Sequence, residues 1–166
     1  MNVGQLMTRQ IRTCHPGDSL NDAAQIMWEE DCGCVPVVQG DDREHPRLVG
    51  IVTDRDVCMA AYTQGKPLGA IPVTSVMQRD LATCVATDPV GVALGILRTR
   101  QLHRLPVVAG DSELVGLLSL ADLARESKRE ASQLDQPEVT VMAIGDTIAL
   151  ISEMRDAGRA IVVTEG

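Results

Sequence analysis

The sequence is almost without aromatic side chains: its 166 residues hold one Trp, one Tyr and no Phe. A core built from this chain is therefore aliphatic, and single-stranded nucleic acid finds no platform on which bases could stack. Positive charge is scarce as well. Fifteen Lys and Arg stand against 23 Asp and Glu, a formal charge of −8, whereas duplex binding runs on phosphate neutralisation by a basic face. An anionic ligand must then be held by a local basic spot in an acidic molecule. No eighteen apolar residues run together, and Met1-Asn2-Val3-Gly4 has neither a basic flank nor an apolar h-region, so neither a membrane span nor a signal peptide is expected. The five cysteines (Cys14, Cys32, Cys34, Cys58, Cys84) are an odd number without a disulfide rhythm, which fits a reducing cytoplasm. Ser/His/Asp orders, HExxH and Walker glycine loops are missing too. No residue is assigned a catalytic role, and the chain reads as a non-enzyme.

What is present is a repeat. Shifted by 70 residues, Val3…Met7 falls on Val73…Met77, Cys14 on Cys84, Asp18 on Asp88 and Val35-Pro36-Val37-Val38 on Leu105-Pro106-Val107-Val108. A four-residue insertion near Asp41 to Pro46 then drops the shift to 66, so that Gly50-Ile51-Val52-Thr53 meets Gly116-Leu117-Leu118-Ser119 and Asp56 meets Asp122. The chain divides into a first unit over 1–62, a Gly- and Pro-containing linker over 63–72, a second unit over 73–133 and a tail over 134–166.

Each unit reads as a short helical turn, a short strand, an amphipathic helix, two strands and a closing helix. In the first, Ile11 to Cys14 is a strand, Pro16-Gly17-Asp18-Ser19 a turn and N-cap, and Leu20, Ala23, Ala24 and Met27 one helical face. Val35 to Gln39 and Leu48 to Val52 form a hairpin around the polar loop Asp41 to His45, and a helix follows from Asp54 to Tyr62. The second unit repeats this at Leu81 to Cys84, Val90 to Gln101, Leu105 to Ala109, Leu114 to Leu118 and Leu120 to about Ser132. The fold class is mixed α/β: two β-α-β-β-α units, neither able to bury both faces alone, packed about a pseudo-twofold axis with two equivalent clefts between them. In the tail, Gly145-Asp146-Thr147-Ile148 echoes Gly17-Asp18-Ser19-Leu20 and Ala160 to Val163 echoes the Val35 run. The tail is expected as a partial strand–helix–strand fragment serving as an edge or dimer element.

The chemistry concentrates where strand meets helix. Thr53 and Asp56, three residues apart, fall on one side of the opening turn of a helix whose N–H groups and dipole favour a phosphate. The hydroxyl suits a phosphate or sugar oxygen and the carboxylate a ribose diol. The same two residues also suit an N-cap. Ser119 and Asp122 repeat the arrangement. Cys32-Gly33-Cys34 lacks the second Cys pair or the histidines that a zinc site needs and reads as small thiols, and no metal site is assigned.

The paired pattern of Met-Thr/Gln near a short strand, a Pro-Val-Val strand, and Gly-apolar-apolar-Thr/Ser-x-x-Asp resembles the CBS domain family. Over Val3 to Arg125 the two copies are similar to a stand-alone tandem pair, or Bateman module. The resemblance implies a regulatory module whose clefts take adenosine-containing ligands, AMP, ADP or ATP foremost, with S-adenosylmethionine or a cyclic dinucleotide as the alternative. Ligand-free dimerisation and docking to a partner enzyme is the other. It implies no required cofactor, and a homodimer that regulates an unidentified partner protein. Carried over by residue, it assigns Thr53 and Asp56 to the first site, with Asp54 and Arg55 peculiar to that copy, and Ser119 and Asp122 to the second. Cys34, Val35 and Pro36, and Arg104, Leu105 and Pro106, become walls beside the base and the phosphates, and Thr13 and Thr83 mark backbone that reads the base edge. His103 and Arg104 supply the phosphate-facing charge. Arg98 and Arg100 either extend that basic spot or lie on a solvated helix face.

Overall fold

Boundaries between polar and apolar runs in the sequence become boundaries of elements in the structure. The computed structural model describes residues 1–40, 46–132 and 139–152. A short helix α1 (Val3–Leu6) is capped by Asn2, and α2 (Leu20–Glu29) starts at Ser19, whose hydroxyl and Asp22 form a reciprocal capping box. Strands β1 (Cys34–Gln39) and β2 (Arg47–Thr53) pair antiparallel, and α3 (Asp54–Gln64) ends at Gly65, whose φ of 60° suits a residue without a Cβ. The second unit follows with β3 (Cys84–Val85), α4 (Val90–Arg100), β4 (Arg104–Ala109), β5 (Glu113–Ser119) and α5 (Leu120–Ala131). A last helix, α6, runs over Val141–Ser152. The expected helices and hairpins of both units stand within about two residues of the sequence pattern.

The sheet runs β1-β2-β5-β4-β3, so the two hairpins meet through β2 and β5. That seam is twofold in character. The Leu48 N–H donates to the Ser112 carbonyl at 2.9 Å, and the Leu114 N–H donates to the Pro46 carbonyl at 2.8 Å, the same bond after a shift of 66. Both hairpins also carry a register break at equivalent points, Val37/Val38 and Val107/Val108. Aliphatic side chains fill one core under each hairpin, with Leu20, Val35, Val37 and Val52 in one and Leu97, Leu105, Leu118 and Leu123 in the other.

Chain order and packing order differ at the start of each repeat. Val3 and Met7 are buried in the core of the second unit, while Ile71, Val73 and Met77 are buried in that of the first. The Val3 N–H donates to the Asp88 carbonyl and the Val73 N–H to the Asp18 carbonyl, both at 2.9 Å. Thr8 pairs with Leu117 and Gln78 with Ile51. The two units thus exchange their leading segments. The linker contributes as well: after a turn of 3-10 helix (Leu68–Ala70), Ile71 is fully buried and its carbonyl accepts from the Leu20 N–H. Glycine makes the exchange possible. A Cβ on Gly50 would stand 2.6 Å from Met77 Sδ, and Gly116 makes the same close approach to Met7 Sδ.

Two expectations change. Ile11 to Cys14 forms no strand; only Cys14 pairs, in an isolated parallel bridge to Val37, and the chain then turns where Asp18 accepts from the His15 N–H, as it does at Val85 and Asp88 in the second unit. In the second unit the strand moves from Leu81–Cys84 to Cys84–Val85. In the tail, Gly145-Asp146-Thr147-Ile148 lies inside α6 rather than at its start: Thr140 caps the helix five residues earlier, its hydroxyl accepting from the Ala143 N–H. The expected strand at Ala160 to Val163 and the loop Asp41 to His45 lie outside the described residues. Among the described residues, no helix is long and apolar enough to cross a membrane.

Candidate functional site

The two strand–helix junctions are built alike. The Thr53 N–H and hydroxyl both donate to Asp56 Oδ2, at 2.9 and 2.7 Å, and the Asp56 N–H donates back to Thr53 Oγ1 at 3.2 Å. Ser119 and Asp122 repeat all three bonds, at 2.8, 2.6 and 3.2 Å. The local reason is the capping box: two N–H groups without a helical partner are satisfied by side chains three residues apart. Each carboxylate commits Oδ2 to the cap and leaves Oδ1 to other partners.

What approaches Oδ1 differs between the copies. At Asp56 it is the Gln78 side-chain amide, at a long 3.5 Å. At Asp122 it is the Arg125 guanidinium, in an ion pair. Beside that pair lies a pocket of about 390 Å³, lined by Gln5, Leu6 and Thr8 from the exchanged N-terminal segment and by Asp122, Arg125, Glu126 and Arg129 from α5. Arg129 in turn pairs with Glu126 and holds its carboxyl below the ordinary carboxylate range. Gln78 and Arg125 are the neighbours that sequence reasoning missed. Gln78 had a signal, since Met77-Gln78 repeats Met7-Thr8; Arg125 had none, because its counterpart in the first unit is Met59.

The strand starts bring a cation across the unit boundary. Arg104 Nη1 lies 3.4 Å from the point a Cβ would occupy on Gly33, and Asp54 Oδ2 lies 2.9 Å from the same point. Arg104, Gly33 and Asp54 therefore meet although they come from different repeats. Cys34, Val35, Pro36, Leu105 and Pro106 are buried walls of the two hairpins. Burial pushes the Cys34 thiol up to about 11, with the Arg104 guanidinium acting against that rise. His103 is exposed and its carbonyl accepts from the Leu120 N–H, as the Gly33 carbonyl accepts from the Asp54 N–H. Arg55 is exposed in the first turn of α3, and its N–H donates to Asp54 Oδ1. Thr13 and Thr83 are half-buried, each one residue before the Cys that pairs with the hairpin.

Of the two readings left open for Arg98 and Arg100, the basic extension of this assembly is not what they form. Arg98 donates to Thr147 Oγ1 and to the Ala143 carbonyl of α6, and Arg100 pairs with Asp80. Among the described residues, no three His, Cys, Asp or Glu side chains are placed to hold a metal ion.

Known proteins share this construction. The CBS domain profile matches residues 3–62 and 73–129. The CBS domain-containing protein YhcV of Bacillus subtilis is 33% identical over 123 residues, covering 74% of this chain and 83% of the relative. Among solved structures, the CBS domain protein PAE2072 from Pyrobaculum aerophilum, complexed with AMP, is 25% identical with a TM-score of 0.68, over 80% of this chain and 97% of that one. The CBS domain pair of protein MJ0100, in complex with 5-methylthioadenosine and S-adenosyl-L-methionine, is 25% identical with a TM-score of 0.64, over 75% of this chain and 98% of that one. With both repeats matched and the paired architecture shared, the chain belongs to the CBS domain family.

Proposed function

We propose that this chain is a non-catalytic regulatory module that binds an adenine nucleotide (AMP, ADP or ATP) in clefts between its two units. The observation that carries the reading is the twice-built junction in which Asp56 and Asp122 each cap a helix through Oδ2, with Oδ1 of Asp56 facing the Gln78 amide at a long 3.5 Å and Oδ1 of Asp122 held by Arg125, which a ribose would displace. A ribose diol can donate to Oδ1, the opening turn of the helix offers N–H groups and a favourable dipole, and Arg104 supplies a fork of donors for phosphate. The AMP complex of PAE2072 supports the ligand class.

A ligand spanning both units stabilises one mutual arrangement over others, and the readout is that shift in population. The module acts in the cytoplasm as a Bateman-type homodimer and passes its state to a partner protein. A second reading is an adenosyl ligand of lower negative charge, such as S-adenosylmethionine, which the MJ0100 complex favours and which needs the carboxylates but not Arg104.

Thermal unfolding against AMP, ADP, ATP, S-adenosylmethionine and a cyclic dinucleotide decides between them. A ligand at about a hundred times its Kd adds roughly 2.7 kcal/mol, several degrees of Tm at this size. A shift with the nucleotides alone supports the first reading and a shift with S-adenosylmethionine alone the second. If no compound moves the transition, the sensing reading fails and a ligand-free docking protein remains.

A further inference from the structure

The two junctions share their hydrogen bonds and differ in their charges. At the second, Asp122 is engaged by its own helix: Arg125, one turn further along α5, pairs with Oδ1. The Asp122 side chain is 9% exposed and that of Arg125 is 72%, so the carboxylate is fixed and the guanidinium is the partner able to leave. Arg129 pairs with Glu126 in the same way one turn on. The pocket of about 390 Å³ beside them has the volume of a small-molecule site, yet its four charged side chains are already paired with one another. Room is present there and free charge is not.

At the first junction α3 carries no such latch. A shift of 66 puts Met59 where Arg125 stands, Ala60 where Glu126 stands and Thr63 where Arg129 stands. Asp56 Oδ1 meets the neutral Gln78 amide at 3.5 Å, a weaker hold than an ion pair to the same oxygen. The available cation is on this side as well. Arg104 Nη1 and Asp54 Oδ2 lie 3.4 and 2.9 Å from one point beside Gly33, at the start of the helix that Thr53 and Asp56 cap. Among the described residues, no hydrogen bond or ion pair holds the Arg104 guanidinium. The repeat answers Arg104 with Cys34, so the second junction receives no guanidinium from the opposite unit, and exposed His103 offers it an imidazole in place of a fork of donors.

We propose that the two clefts fill in order: a nucleotide enters at Asp56 first, and the Asp122 cleft is held back by Arg125, an internal guanidinium on the oxygen that a ribose needs. Filling the second cleft costs an ion pair that filling the first does not, and it gains no Arg104 for the phosphate. Arg125 is therefore a specificity-determining residue, and one chain responds to nucleotide over two concentration ranges. The proposal rests on the nucleotide reading above and adds the order of filling and its cause.

Calorimetric titration of the full chain with AMP tests it, on the wild type, Asp56→Asn, Asp122→Asn and Arg125→Met, with circular dichroism to confirm that each is folded. Asn keeps an oxygen for the cap, and Met is the residue at the matching position of the first unit. The wild type is expected to bind one AMP per chain about tenfold or more tightly than a second, the worth of a charged hydrogen bond. Asp56→Asn should abolish the tight step and Asp122→Asn the weak one. Arg125→Met should leave the first step unchanged and strengthen the second by about fivefold, the upper worth of an exposed ion pair. Should the Met variant unfold, Arg125→Gln makes the same measurement. Two equal steps in the wild type, or a tight step lost with Asp122→Asn, overturn the order and leave the nucleotide reading standing. A second step that is weakened, unmoved or still absent in the Arg125 variant overturns the latch, and weakening makes Arg125 a phosphate contact instead. AMP that binds none of these proteins overturns this proposal together with the nucleotide reading.

Discussion

Arg104, carried by the second unit, holds its guanidinium against Gly33 of the first, with Nη1 3.4 Å from the position a Cβ would take there. The repeat puts Cys34 where Arg104 stands in the other copy, so this boundary carries one such cation rather than two. On the proposed function, Arg104 is the phosphate contact. Arg104→Ala should lower AMP affinity by about tenfold or more, the worth of a charged hydrogen bond, and leave adenosine affinity unchanged. Calorimetric titration with both compounds checks this; equal losses for the two would mean that Arg104 shapes the site rather than meeting the phosphate.

Thr53 and Ser119 are caps whether or not a ligand is present. Removing either hydroxyl should cost about 1 kcal/mol, and because the two junctions share no hydrogen-bond partner the double variant should cost about 2 kcal/mol. Denaturant unfolding of Thr53→Ala, Ser119→Ala and the pair measures it. Thr53→Ser, which keeps the acceptor for the Asp56 N–H, should recover most of the loss. A double variant as stable as either single one would deny that the two caps are independent.

The repeat made most of this visible in the sequence, because hairpin and helix patterns twice in register are short-range signals. The N-caps at Thr53 and Ser119 were legible for the same reason, since their bonds span three residues, though the reciprocal bonds from Asp56 and Asp122 were not read there. Exchange of the leading segments was not. The register matched Val3 to Val73 and said nothing of which core each enters, a choice set by contacts such as Val3 to Asp88 that are long in sequence. Arg98 was ambiguous until α6 was seen to lie on it. Gly145 misled because the echo of Gly17 is local, while Thr140, which caps the helix, belongs to no repeated pattern.

Glycine at the crossing points is a packing requirement that can be tested alone. Gly50→Ala would place a Cβ 2.6 Å from Met77 Sδ in the first unit, an overlap expected to cost about 1–3 kcal/mol. Met77→Ala alone also destabilises, by opening a cavity. Combining them should cost less than the sum, since the Ala at 77 removes the atom that the new Cβ meets. The same cycle at Gly116 and Met7 should give the same sign. Strict additivity in a denaturant-measured cycle would show that the exchanged segment does not lie against β2 in solution.

Cys14, Cys34 and Cys84 give the fold an alkaline limit. Burial raises each thiol from an ordinary value of 9.0 to about 11. A thiol with a raised folded pKa keeps its proton in the native state while the unfolded chain releases it. The stabilisation is therefore complete below pH 9 and is lost as pH rises from 9 toward 11. Unfolding midpoints in denaturant should fall through that window, and the slope should be shallower in Cys14→Ala/Cys84→Ala, because two of the three groups that couple folding to pH are gone. Labelling gives a second reading at pH 8. Exposed Cys58 should react with a thiol reagent at once, and Cys14, Cys34 and Cys84 only as the protein unfolds. Prompt reaction of all five thiols under native conditions would place these strands in a looser environment than the hairpin cores described.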